Sequence, residues 1–156
     1  MNVDQFRDLL KPITDAVAGK PLAPELGAEL DRRFPPTSTE FKAIEAACHA
    51  AIAAGWMCTQ GGAGRRFGRV IEPGPQTSNL SVDVVDLTDI VGPHHRHPTG
   101  EICMVMPVTP TARFCGKGAG WKVYPPGSAH HPTVTDGRAL VLYMLPEGRI
   151  EFTPAS

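Results

Sequence analysis

Two short segments of the chain contain five of its six histidines. The first, GPHHRHPTGE, contains the spacing H-x-H-x3-E in His95, His97 and Glu101. The second, PPGSAHHP, contains P-x-G-x-x-H and reaches His130. Neutral imidazoles combined with a carboxylate are ligands that divalent Fe, Mn, Zn, Ni and Co accept in proteins. The histidine distribution therefore predicts a site for one divalent transition metal ion, whose identity the donor types leave open.

The local backbone can bring these donors together. In an extended segment alternate side chains share a face, so His95 and His97 point the same way. The turn PTG then returns Glu101 toward that face. Three donors leave a place for a fourth ligand, and the second segment offers His130.

The other histidines have different expected roles. A shift of one residue would exchange His94 for His95, or His131 for His130, so both neighbours stay open as alternative ligands. His49 lies in a helical segment without a second ligand four residues later, and we interpret it as a structural or surface residue.

The first third of the chain has the period of amphipathic helices. In VDQFRDLLKPITDAVAG apolar residues recur every three or four positions, and Pro12 is expected to kink or interrupt the helix. APELGAELDRRF predicts a second helix. TSTEFKAIEAACHAAIAAG predicts a third, which opens with Thr37 and Glu40 in capping-box spacing and stops at Gly55. We therefore expect a helical layer over residues 1–55.

From Trp56 onward the helical period gives way to short β-rich runs. They are separated by turns that hold most of the 16 glycines and 16 prolines of the chain. Such a series is typical of a sandwich or barrel rather than of a parallel α/β sheet. The sequence therefore predicts one domain over 1–156, in which a β-barrel over 56–156 carries the metal site. The runs are RFGRVI, LSVDVVDL, EICMVM, ARFC, WKVY, ALVLYML and RIEF.

The two histidine motifs, in this order and some thirty positions apart, resemble the paired motif of the cupin superfamily. This resemblance implies a mainly β fold, the double-stranded β-helix or jelly-roll barrel, preceded here by an α-helical N-terminal segment. It also implies a mononuclear metal held by three histidines and one glutamate, and it assigns these ligands to His95, His97, Glu101 and His130. We predict that Glu101 and His95 also take part in catalysis.

A second resemblance covers nearly the whole chain. The three-helix start, IEPGPQTSNLSVDVVDL, GPHHRHPTGEI and GAGWKVYPPGSAHHPTVTDGRALVLYMLPEGRIEF together are similar to the 4-hydroxylaminobenzoate lyase family of nitroarene-degrading bacteria. Its members convert 4-hydroxylaminobenzoate to protocatechuate and ammonia. The resemblance implies a metal-dependent lyase that uses neither a nicotinamide nor a flavin, because the reaction balances with water alone. A divalent metal there would polarise the hydroxylamine oxygen or activate water.

An aromatic carboxylate substrate also requires a cationic partner, and arginine offers planar, bidentate hydrogen bonding. If EICMVM and ARFC form a hairpin that pairs Cys103 with Cys115, Arg113 points into the barrel with them. A slip of one residue would turn Arg113 outward instead. Arg69, in RFGRVI, is the second candidate for a substrate-binding residue.

Charge and composition bear on partners and location. The net charge of −1, without a basic run, argues against nucleic acid or an anionic membrane as the main partner. The first residues, MNVDQFRDLLKP, include charges and a proline where a signal peptide would be apolar, so we expect a cytoplasmic protein.

The four cysteines lack CxxC spacing and are expected to be reduced. Because cupins commonly pair through strands or N-terminal segments, we expect a homodimer.

Two other function classes remain open on the sequence. A histidine and carboxylate metal site with open positions also supports a dioxygenase acting on a small aromatic or thiol substrate. Oxygen consumption during turnover would distinguish that enzyme from the lyase. The third class is a non-catalytic cupin that binds a small molecule, and metal analysis with a turnover assay would separate it from both enzymes.

Overall fold

The computed structural model describes residues 1–153, in which three helices precede ten strands. This order confirms the predicted mainly β fold with a helical N-terminal segment. Within the described part of the chain, no helix is both long and apolar enough to cross a membrane. The helices are α1 (Val3–Val17), α2 (Pro24–Arg33) and α3 (Thr39–Ala54).

Helix α1 runs without interruption through Pro12, contrary to the interruption that the sequence allowed. A proline inside a helix removes one backbone hydrogen bond and crowds the preceding turn. Leu10 and Ile13, on either side of Pro12, are completely buried in the core, and their packing offsets this cost. The side chain of Asn2 caps the helix by accepting a hydrogen bond from the backbone N–H of Gln5 at 2.9 Å.

Helix α3 begins one residue later than the capping pattern predicted. Its N-cap is Ser38, whose hydroxyl accepts a hydrogen bond from the backbone N–H of Phe41 at 3.2 Å. Its end agrees with the prediction, because Gly55 adopts the left-handed conformation with φ of 86°. Serine and threonine are both good N-caps, so the pair in TSTE made either start possible.

Two antiparallel sheets form the barrel, the jelly roll that the sequence predicted. The large sheet has the order β1-β2-β3-β9-β5-β7, with β6 also paired to β9, and the small sheet has the order β10-β4-β8. The strands are β1 (Gln60–Gly62), β2 (Arg65–Ile71), β3 (Leu80–Val91), β4 (His95–His97), β5 (Glu101–Pro107), β6 (Arg113–Phe114), β7 (Gly120–Tyr124), β8 (Ser128–His130), β9 (Thr133–Pro146) and β10 (Glu151–Phe152).

Alternation along the strands of the large sheet gives it two different faces. On the outer face, side chains such as Ile102 and Met104 pack in one core with the apolar sides of the three helices. On the inner face, Cys103 and Val105 pack in a second cluster inside the barrel. The indole Nε1 of Trp121 donates a hydrogen bond to a backbone carbonyl of the helical layer at 2.9 Å, which ties the layer to the outer face.

The predicted hairpin between β5 and β6, with Cys103 opposite Cys115, is wrong. Strand β6 pairs with β9, while β5 lies between β7 and β9, so that Cys103 is opposite Tyr143. Both neighbours of β5 are longer strands than the two-residue β6 and form longer ladders of hydrogen bonds. In the observed pairing Phe114 is buried in the inner cluster and Arg113 is exposed.

Candidate metal centre

The small sheet and the start of β5 bring the predicted ligands together. Strand β4 pairs with β8 in a register that places His95 opposite His130. Between His97 and Glu101 the chain makes a turn closed by a hydrogen bond from the N–H of Gly100 to the carbonyl of His97 at 3.2 Å. Gly100 has φ of 89°, and a Cβ there would approach a neighbouring backbone carbonyl to 2.8 Å. A glycine is therefore required for the turn that returns Glu101 to the histidines.

The ligand atoms of these residues form a compact group, here called the histidine–glutamate cluster (His95, His97, Glu101 and His130). The Nε2 atom of His130 lies 3.1 Å from that of His95 and 3.2 Å from that of His97. The carboxylate oxygens of Glu101 lie 3.3 Å from Nε2 of His97 and 3.5 Å from Nε2 of His130. All four donor atoms lie within 4.8 Å of one another.

This donor set fits a divalent transition metal ion. Ligands that share one ion at bond lengths of about 2.0–2.1 Å are themselves roughly 3 Å apart, as the nitrogens are here. Three Nε2 atoms that face each other cannot all be satisfied by mutual hydrogen bonds, because a neutral ring nitrogen is either a donor or an acceptor. A bound divalent cation would accept a lone pair from each of them. The cluster can therefore hold a metal ion.

Burial keeps the three histidines of the cluster neutral, which is the protonation state that metal binding requires. It lowers the pKa of His95 and His130 to about 4 and that of His97 to about 3, so the rings are neutral. The neighbouring imidazoles add to this effect. Burial also raises the pKa of Glu101 to about 8, and a bound cation would restore its charge. The thiol of Cys103 donates a hydrogen bond to this carboxylate at 3.0 Å.

The two alternative ligands from the sequence point elsewhere. Nδ1 of His94 makes a hydrogen bond with the hydroxyl of Thr153, and Nδ1 of His131 makes one with the carbonyl of Gly92 at 3.0 Å. The structure thus brings His95 and His130 into the cluster and leaves their neighbours outside it. The role of the cluster residues as metal ligands stays a prediction that metal analysis can test.

A cleft that opens to solvent leads to His95 and Glu101. The wall is mostly apolar and aromatic, and Tyr143 adds a phenol from the inner face of β9. The last strand, β10, contributes Phe152, whose ring centre lies 5.7 Å from that of His95. The other apolar lining residues are Phe67, Val85, Leu87, Pro93, Phe114 and Pro132.

Neither arginine predicted to bind the substrate lines this cleft. Arg113 is exposed and donates to the carbonyl of Gly116 at 3.4 Å. Arg69 is held by Asp83, 3.3 Å from its Nε, and by a backbone carbonyl at 3.1 Å. The arginine that does line the cleft is Arg65, which sequence reasoning missed. Strand alternation in RRFGRVI was the available signal, since it puts positions 65, 67 and 69 on one face.

Known proteins resemble this chain in sequence. A family model described as 4-hydroxylaminobenzoate lyase matches residues 8–152. A 4-hydroxylaminobenzoate lyase of Pseudomonas putida is 30% identical over 140 residues, which cover 79% of this chain and 80% of the relative. One from Nocardioides sp. (strain LMS-CY) is 27% identical over 159 residues, with 96% and 92% covered. Among solved structures, DMSP lyase DddQ from Ruegeria pomeroyi DSS-3 aligns over 96% of both chains at 20% identity and a TM-score of 0.44.

Proposed function

The chain belongs to the 4-hydroxylaminobenzoate lyase family, and on this basis we propose that it converts 4-hydroxylaminobenzoate and water to protocatechuate and ammonia at the histidine–glutamate cluster. The observation that carries the proposal is the family match over residues 8–152, a span that contains the whole cluster. The named relatives are enzymes, which favours a catalytic role over the simple binding of a small molecule.

The reaction balances without an external oxidant or reductant. Cleavage of the N–O bond reduces the nitrogen and releases its oxygen as water, while a water molecule adds to the neighbouring ring carbon, which is oxidised. A second water then replaces the nitrogen on the ring and releases it as ammonia. Two waters enter and one leaves, so the net reaction consumes one. The substrate itself supplies both the reduced and the oxidised atom, so no nicotinamide or flavin is needed to transfer electrons.

The proposed catalytic residues are the two members of the cluster that also line the cleft, Glu101 and His95. When bound, a divalent ion supplies Lewis acidity, which polarises N–O and C–O bonds and makes water more acidic. The Cys103 thiol orients one carboxylate oxygen of Glu101. The carboxylate can then take a proton from the attacking water and pass it to the departing oxygen. The mostly apolar wall lowers the local polarity around the reacting groups, which strengthens these electrostatic interactions.

An anaerobic turnover assay tests the proposal. Purified protein given 4-hydroxylaminobenzoate should release ammonia and protocatechuate in equal amounts without an added nicotinamide or flavin. Chelation should abolish turnover, and adding back the native divalent ion should restore it. In oxygen-18-labelled water, the hydroxyl on the ring carbon beside the original nitrogen should carry the label. Turnover that requires O₂, with label entering from O₂, would indicate a dioxygenase instead. No reaction by metal-replete protein would remove this substrate.

A further inference from the structure

One cationic side chain lies in the wall of the cleft that leads to the histidine–glutamate cluster. Arg65 lines this cleft together with His95 and Glu101, and no other arginine or lysine within 1–153 does so. The cleft is therefore asymmetric. It has metal-binding donors in one part of its wall, a guanidinium in another, and apolar side chains elsewhere.

The fold fixes the guanidinium of Arg65 on the cleft side of β2. Arg65 pairs with Leu87, and Phe67 pairs with Val85, so both β2 side chains share the inner face of the sheet. The Cζ atom of Arg65 lies 4.5 Å from the centre of the Phe67 ring. This cation–π contact holds the planar guanidinium against an aromatic surface and leaves its N–H groups available.

Among the residues that the structure describes, Arg65 has no counter-ion, unlike Arg69 on the same strand and Arg138 on β9. Arg69 is paired with Asp83, and Arg138 forms a bidentate pair with Asp86 at 2.8 and 2.9 Å. Across residues 1–153, no carboxylate forms such a pair with Arg65. A guanidinium that is partly buried beside an apolar wall, without a counter-ion, favours an anion that arrives with a ligand.

We propose that Arg65 binds the carboxylate of the substrate and that the cleft selects planar aromatic monocarboxylates with a polar group on the opposite side of the ring. This inference rests on the proposed function and deepens it. The carboxylate lies on the guanidinium, the ring contacts the apolar wall, and the hydroxylamine reaches the histidine–glutamate cluster. Fixing both ends of the ring gives the reacting atoms one orientation, and this orientation is what makes the chemistry efficient.

Binding of unreactive ligands tests the anchor without relying on turnover. 4-Aminobenzoate keeps the carboxylate but has no N–O bond, and aniline lacks the carboxylate as well. Calorimetric titration should show that Arg65→Gln weakens 4-aminobenzoate binding by about 10- to 100-fold, the effect of losing a charge-assisted bidentate contact. Aniline binding should not change. The affinity of Arg65→Lys for 4-aminobenzoate should lie between those of the original protein and Arg65→Gln, because lysine keeps the charge without the bidentate geometry.

The matched control is Arg66→Gln, the next residue along β2, which lies opposite Asp86 and does not line the cleft. It should bind 4-aminobenzoate as the original protein does, and the metal content of all three variants should be equal. Unchanged 4-aminobenzoate binding by Arg65→Gln would overturn the inference. An equal loss of affinity for 4-aminobenzoate and for aniline would overturn it too, since that result indicates a damaged cleft rather than a lost carboxylate contact.

Turnover separates this inference from the proposed function. Arg65→Gln should lower kcat/KM for 4-hydroxylaminobenzoate by about 10- to 100-fold and leave that for N-phenylhydroxylamine unchanged. If the original protein converts 4-hydroxylaminobenzoate and Arg65→Gln does so equally well, the anchor is wrong and the lyase function stands. If the original protein does not convert it but Arg65→Gln selectively loses 4-aminobenzoate, the anchor stands and the lyase function is wrong.

Discussion

The two faces of the large sheet have different chemistry although they belong to the same strands. On β5, Ile102 and Met104 face the helices and are completely buried in an apolar core. Glu101 and Cys103, which alternate with them, face the barrel interior and make a polar contact at the candidate metal centre. Because the side-chain period of a strand is two, stability and chemistry can change independently along a single segment.

The outer face therefore carries most of the packing, and the inner face contributes Glu101 and much of the cleft wall to the site. Apolar residues from all three helices and from the large sheet form one continuous core. This continuity supports our proposal that helices and barrel fold together as one domain. The inner face has a smaller apolar cluster, interrupted by the cleft and by the histidine–glutamate cluster. Substitutions on the outer face should accordingly affect mainly stability, and substitutions at the site should affect mainly metal binding and turnover.

The largest effect is expected from removing one of the cluster histidines, which the small sheet holds next to the inner face. His97→Ala should weaken metal binding by more than about 100-fold, because only three donors remain. Turnover should fall to background, while the metal-free variant keeps a circular dichroism spectrum like that of the original protein. Metal content after dialysis, measured by mass spectrometry, checks the first expectation.

The neighbours of the ligands provide the matched controls for His97→Ala. His94→Ala and His131→Ala change the same residue type in the same segments, but both rings lie outside the cluster. They should retain near-normal metal. Loss of the metal from either variant, with retention by His95→Ala or His130→Ala, would shift the ligand assignment by one residue.

Shortening a buried side chain on the outer face should lower stability and leave metal binding unchanged. Leu142 is completely buried between the sheet and the helices, and Leu142→Ala should lower the free energy of unfolding by about 2–5 kcal/mol. Metal content per folded molecule should stay the same. Urea denaturation measures the first quantity and mass spectrometry the second. Val91→Ala, at an exposed position on β3, should change stability by less than about 0.5 kcal/mol. Parallel loss of metal and stability in Leu142→Ala would contradict the separation of the faces.

Glu101→Gln should give a smaller loss of metal than removal of a histidine. The amide oxygen still coordinates but brings no charge, so we expect metal affinity to fall by roughly 10- to 100-fold. Turnover should be lost even at saturating metal, because an amide cannot carry the proton that the carboxylate moves. Metal titration followed by an assay of the fully loaded variant separates the two effects. Normal turnover of the loaded variant would assign proton transfer to another residue.

A pH-dependent effect on stability concerns Asp83, a carboxylate on the inner face. Burial raises the pKa of Asp83 to about 6, and the ion pair with Arg69 opposes this shift only in part. The unfolded chain has a value of about 3.9, so the folded state holds the proton more tightly between about pH 4 and 6. This contribution to stability is present below about pH 4 and is lost as the pH rises through about 6.

Asp83→Asn removes this pH dependence. The stability of the original protein relative to the variant should fall by about 1–3 kcal/mol between about pH 4 and pH 7. Urea denaturation at these two values measures the difference, and groups common to both proteins cancel from it. Equal pH profiles would show that Asp83 is already charged at the lower value in the folded protein.

Apart from the distant ligand His130, which the paired cupin-like motif indicated, the features that sequence reasoning predicted are local in the chain. His95, His97 and Glu101 lie within seven residues, and a strand followed by a glycine turn is sufficient to bring them together. The change from helical to β patterning near Trp56 is also a local property, and the structure has its last helix and first strand on either side of that residue.

The features that sequence reasoning missed depend on distant pairings. Which strand lies beside β6 is decided by competition among all the strands of the sheet, and β9 is far away in the sequence. This competition turned Arg113 outward. Arg65 was missed for a related reason: alternation puts Arg65 and Arg69 on one face, but the pairing of β2 with β3 places only Arg65 at the cleft, because Arg69 lies opposite Asp83.

The ladder between β3 and β9 also has a consequence for folding kinetics. It runs from Leu80 opposite Pro146 to Val91 opposite Thr133, so all four donors lie in the loop that it closes. Pairing over such sequence separations loses loop-closure entropy before the native contacts form to offset the loss. Such pairing is therefore slow. We expect His130 to join the three local donors His95, His97 and Glu101 only after this step. Metal binding should therefore slow unfolding strongly and accelerate refolding very little, so that the ion makes the barrel long-lived rather than quick to form.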